Sequence, residues 1–155
     1  SLSTSGASFS GFSDRNSRSV LIGSEDRRTK WPEMKSGRMI MAAGNLVRIG
    51  QDGVEAEVSR PDPSKVISGD PVHTAWNIEE RDGLYCGMWQ STPGKWRISY
   101  DEWEYCRILE GVSVISEDGG EAATVKAGDS FILRPGFKGT WEVIETTRKD
   151  YVIKL

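Results

Sequence analysis

At 155 residues, with 28% charged and 37% hydrophobic residues and a formal net charge of -3, the chain has the size and composition of one soluble domain with a real core. So mild a charge, with Lys and Arg interleaved among Asp and Glu, excludes the basic face that nucleic acid needs. No stretch approaches the roughly 18 apolar residues of a membrane span either. With two cysteines, no CxxC pair and one histidine, the usual Cys/His zinc site is close to excluded.

Residues 1–36 are a polar lead rich in Ser, Gly and Arg, with a small apolar patch at Val20, Leu21 and Ile22. Such a composition predicts an arm that is extended or held on a partner surface, and it contains no apolar signal core. Residues 37–155 are expected to form one all-β unit, a sandwich or a barrel. Strands are predicted at 38–43 and 46–49, followed by a Pro-punctuated loop over 61–71. From residue 84 short strands alternate with turn signals: 84–90, 96–100, 103–109, 112–116, 122–125, 130–133, 140–145 and 149–153. TPG (92–94), DGG (118–120), AGD (127–129) and PG (135–136) supply the turns. No segment there has a helical period, so the fold class is all-β. Cys86 and Cys106 fall in strand-like contexts and are expected as buried free thiols of a reducing, cytoplasmic protein.

RILEG (107–111), AGD (127–129) and RPG (134–136) resemble the two motifs of the cupin superfamily. GMWQSTPGKW (87–96), EYCRILEG (104–111), GFKGTW (136–141) and RKDYVI (148–153) narrow this to a resemblance to ureidoglycine-aminohydrolase-type cupins. The resemblance implies a double-stranded β-helix, the RmlC-like jelly-roll barrel, around a small-molecule cavity. It also implies where a metal would be bound: histidines at positions 98, 100 and 139 and a glutamate at 104. Here those positions hold Ile98, Tyr100, Gly139 and Glu104. One carboxylate and one phenol make too poor a donor set, so no tight catalytic metal and no cofactor is expected. That weakens the aminohydrolase activity, whose chemistry the resemblance makes metal-dependent.

Strand alternation sorts the side chains. Trp96, Ile98 and Tyr100 oppose Arg97, Ser99 and Asp101; Trp141 and Val143 oppose Thr140 and Glu142; Lys149, Tyr151 and Ile153 oppose Arg148, Asp150 and Lys154. Both faces of 103–109 are mixed, and there the cupin resemblance points Glu104, Cys106 and Ile108 inward. The expected ligand pocket is Trp96, Ile98, Tyr100, Glu104, Trp141 and Tyr151, with Trp89 and Phe137 near its mouth. Glu104 and Lys149 are the candidate catalytic groups, Glu104 as general acid, general base or anchor for a ligand ammonium or amide. The plainer reading of Trp96, Ile98 and Trp141 is core packing, and that of Lys149 is an ammonium at the barrel rim. His73 is expected at the surface, and Asp101 and Glu102 at a solvated strand start. The segment 87–95 has the glycines and lysine of a phosphate loop but not its spacing.

Three functions fit. The first is a cupin that binds a small polar metabolite without a tightly bound metal. The second is a metal-dependent enzyme of ureide or nitrogen metabolism, and the third a non-catalytic interaction module. Whether a reaction is catalysed stays open. A homodimer is expected, since a polar arm needs a surface to lie on and strand exchange would cover open sheet edges.

Overall fold

The computed structural model describes residues 44–155, so the polar lead and the strand predicted at 38–43 lie outside the described residues. Nine strands follow in chain order: β1 (Glu57–Ser59), β2 (Val66–Gly69), β3 (His73–Arg81), β4 (Leu84–Ser91), β5 (Gly94–Ser99), β6 (Trp103–Glu117), β7 (Ala122–Lys126), β8 (Ser130–Leu133) and β9 (Lys138–Lys154). All pairings are antiparallel, and no helix occurs among the described residues. The all-β class is as the turn spacing predicts.

The two longest strands organise the rest. β6 runs for 15 residues and β9 for 17, and they pair along most of their length. On its other side β9 pairs first with β5, through residues 139–143 and their neighbours, and then with β4, from Thr147 onward. Each was expected as two short strands. The chain instead stays in the ladder and bends, because β6 absorbs register shifts between Ile108 and Ser113. At that bend Gly111 has φ +85°, and a Cβ there would meet the Thr146 carbonyl oxygen at 2.1 Å. Only glycine lets the two backbones approach so closely. Beside it the buried Ser113 and Thr147 hydroxyls share a hydrogen bond of 2.7 Å, and Thr147 also donates to the Glu145 carbonyl. The bend keeps the alternation in phase: residues 139, 141 and 143 are buried before it, and 147, 149, 151 and 153 after it. The sheet therefore curls around one inner face.

That face holds the core: Trp89, Trp96, Ile98, Tyr100, Cys106, Ile108, Trp141, Tyr151 and Ile153 are all essentially inaccessible. Two sequence expectations are corrected. Residues 46–49 form no strand; Leu46 is 84% exposed and the adjacent apolar pair Leu46 and Val47 gives no consistent face to pack. The 61–71 segment is not all loop, because β2 pairs with β5 across Val66↔Trp96 and Gly69↔Gly94.

The close approach at the bend predicts that Gly111→Ala lowers stability by at least about 2 kcal/mol in denaturant titration. Gly119→Ala is the control, with φ +77° but nothing within 4 Å of the added carbon, and should cost only about 1 kcal/mol. Equal losses would show that dihedral strain alone sets the cost.

Candidate functional site

Strand register determines which side chains meet. Lys149 on β9 lies opposite Trp89 on β4 and Ile108 on β6, while Glu104 lies four residues back along β6 opposite Ile153. A lysine is long enough to span that offset. Its ammonium runs along the inner face past Cys106, 3.5 Å from Sγ, and reaches Glu104 Oε1 at 2.8 Å. Glu104 is 1% and Lys149 4% exposed, so the pair is dry and the expected rim position of Lys149 is corrected to the interior. The reason is electrostatic: a buried carboxylate needs a cation, and Lys149 is the cation in reach.

Indole rings flank the ammonium. Nζ lies 4.5 Å from the Trp141 ring centre and 4.9 Å from that of Trp89, within cation–π range of both. The two indoles meet edge to face at 5.7 Å. Burial works to lower the Lys149 pKa, but the Glu104 carboxylate beside it and the hydrogen bonds to Glu104 and Cys106 hold the group above its ordinary value. Burial, then Glu104, pushes the Cys106 thiol up, so it stays protonated and leaves Glu104 as the anion that matters.

The other predicted pocket residues share this face. Trp96 lies opposite Trp141, and Ile98 opposite Gly139. Tyr151 is buried between Gly87 and Cys106 in register and donates to Asn77 Oδ1 at 3.2 Å. Tyr100 is buried, with its phenol held well above the ordinary value by burial first and then by Glu104, Cys106 and Glu102. Trp89 does not stand at a mouth; it is buried beside Trp96 and Trp141, and the half-buried Phe137 packs edge to face on Tyr100.

Two further residues sit differently from their sequence expectation. His73 is fully buried, its ring 4.6 Å from Trp96 and 5.0 Å from Trp89, because β3 turns residues 73 and 75 inward. A surface histidine is therefore corrected to a core one. Glu102 is 2% exposed rather than solvated; Oε2 accepts the Asp101 amide at 3.0 Å, while Oε1 has no hydrogen-bond partner. Burial, then the Glu104 carboxylate, raises its pKa to about 8. The sequence signal available was its parity with Glu104, two residues on.

A metal does not fit these residues. Ile98 offers no donor, the Tyr100 phenol resists ionisation, and Glu104 is already bound by Lys149. Gly139 cannot accept a side chain at all, since a Cβ would fall 1.9 Å from the Ser116 carbonyl oxygen. Among the described residues no group of three His, Cys, Asp or Glu is placed to hold an ion.

Glu102 gives a pH prediction. Its folded pKa of about 8 exceeds the ordinary 4.5, so between those values the folded state keeps a proton that the unfolded chain releases. Stability must then fall as pH rises through that window, by up to ~1.4 kcal/mol per pH unit. Glu57, raised to about 7 by burial and Glu55, acts in the same sense, so the difference between wild type and Glu102→Gln isolates Glu102. Denaturation midpoints of the variant should decline less steeply with pH; parallel profiles would show Glu102 ionised in the fold.

Comparison with known proteins bears on the fold. Residues 78–151 match the model of the EutQ-like cupin domain. A solved protein of unknown function of the DUF861 family from Pseudomonas syringae pv. tomato is 30% identical, with a TM-score of 0.60, covering 65% of this chain and 44% of its own. The Clostridium difficile EutQ protein is 20% identical with a TM-score of 0.50, covering 54% and 63%. A Salmonella typhimurium protein described as ethanolamine utilization protein Q is 15% identical with a TM-score of 0.51, covering 65% and 96%. The chain thus spans less than two thirds of the first two relatives. No curated protein matches. No helix among the described residues is long and apolar enough to cross a membrane. The curled antiparallel sheet and the match over residues 78–151 identify the fold as a cupin-type jelly roll and support the cupin superfamily.

Proposed function

We propose that the protein binds a small polar metabolite in the aromatic interior of its barrel, without a tightly bound catalytic metal. The observation that carries this is a set of buried polar atoms with no hydrogen-bond partner in the structure: Nε1 of Trp89, Trp96 and Trp141, and Oε2 of Glu104. Leaving such groups unmade costs about 1–3 kcal/mol each, so a ligand or ordered water is needed to satisfy them. The indole donors and the ammonium call for an oxygen acceptor, while Glu104 Oε2 calls for a donor. Because Lys149 already neutralises Glu104, a second cation would be repelled and a neutral donor favoured. A small amide or polyhydroxyl compound has that complement.

Glu104 and Lys149 are binding groups in this reading. Glu104 can serve as a base only when Lys149 leaves it, and the metal-dependent ureide chemistry implied by the narrower resemblance finds one carboxylate that is already engaged. The test is thermal stability with acetamide, glycerol, sodium acetate and methylammonium chloride as separate probes. Acetamide or glycerol should raise the Tm in a saturable manner that Glu104→Gln weakens, and methylammonium should not. Equal effects on wild type and variant would remove the pocket as the cause.

We also infer self-association into a homodimer. What supports it is the segment 46–49, whose Leu46, Val47 and Ile49 are exposed apolar side chains without a sheet partner among the described residues. Light scattering should give twice the chain mass, and Leu46→Asp with Ile49→Asp should halve it. A monomeric wild type would reject the inference.

A further inference from the structure

We propose that Lys149 is the resident cation of this barrel, a tethered ammonium that does for Glu104 what a bound metal would otherwise do. The argument starts from the mismatch between fold and donor set. A cupin-type interior that keeps Glu104, while Ile98, Tyr100 and Gly139 occupy the other positions where the resemblance implies metal ligands, retains an anion with no ion to hold. Such a carboxylate, 1% exposed, would be strongly unfavourable alone. The structure supplies the counter-charge from β9, at 2.8 Å.

The surroundings are built for an ammonium rather than a divalent ion. Nζ makes one charged hydrogen bond, to Glu104, and one weak contact to the protonated Cys106 sulfur. The faces of Trp89 and Trp141 lie beside it, with ring centres at 4.9 and 4.5 Å. Ring faces stabilise a soft monovalent cation but offer no lone pair for a metal. One carboxylate balances one positive charge, which matches an ammonium and leaves a divalent ion half-compensated. Glu104, Trp89 and Trp141 therefore form an aromatic cation cage whose occupant is part of the chain.

The cage should accept a free cation of the same shape once the tether is cut. Lys149→Ala removes three methylenes and the ammonium, which propylammonium replaces atom for atom. Propylammonium should raise the Tm of Lys149→Ala on the order of 10 °C at a hundredfold excess over its dissociation constant. It should leave wild type unchanged, and 1-propanol should do nothing for either. Calorimetric titration of wild type with manganese, nickel and zinc should show no stoichiometric binding. If Lys149→Ala does not fold alone, the refolding yield with propylammonium against that with 1-propanol takes the place of the Tm. Indifference of the variant to the amine in both formats would overturn the proposal, as would one equivalent of metal bound by wild type. Neither readout needs the metabolite, so this inference and the proposed ligand binding fail separately.

Discussion

Moving a carboxylate and an ammonium out of water costs several kcal/mol for each ion, and the attraction between them recovers that only when the geometry is good. The Glu104–Lys149 pair meets the condition with a short hydrogen bond and two indole faces around the cation. Much of the interior depends on it. The Lys149 side chain follows β6 past Cys106 to reach Glu104, and the Trp89 and Trp141 rings meet beside its ammonium. The pair also sets the electrostatics, because the field of Glu104 is what Glu102 and Tyr100 respond to after their own burial. Pairs of this kind are weak evidence for stability and better evidence for a single defined arrangement.

The pair is placed by topology. β9 can carry Lys149 into the interior because it bends without losing phase, and it bends where β6 spends its irregular residues. The contact between Gly111 and the Thr146 carbonyl, with the Ser113–Thr147 hydrogen bond beside it, holds the crossing where β9 exchanges β5 for β4 as neighbour. A shift of one residue there would turn Lys149 and Tyr151 outward and Arg148 and Asp150 inward.

Much of this was legible in the residue pattern. Alternation alone assigns Trp96, Ile98, Trp141, Tyr151 and Lys149 to one face, because each sits in a strand with a clear apolar side. The mixed 103–109 segment needed a family resemblance to orient Glu104. What stayed hidden has physical causes. Bulges within β6 let one strand look like two, since periodicity restarts at each shift of register. His73 was misplaced because β3 mixes His, Thr, Asn and Glu, and its inward face is visible only once β4 lies beside it. Glu102 was misread because burial of an acid at a strand entrance depends on what covers it, a property of the tertiary structure. Lys149 presented a choice between rim and interior that only the position of Glu104 could decide.

The closeness of β9 to β6 at Gly139 has a consequence for descent. The position a histidine would need is filled by the backbone of Ser116. Placing a ligand there is then not a matter of one codon, because no side chain fits until two strands part. Ile98 and Tyr100 could in principle be exchanged for side chains that donate, at the cost of repacking a buried core, but at position 139 the obstacle is main chain. With that position closed to side chains, the chemistry open to this interior is what an amine and an acid can recognise.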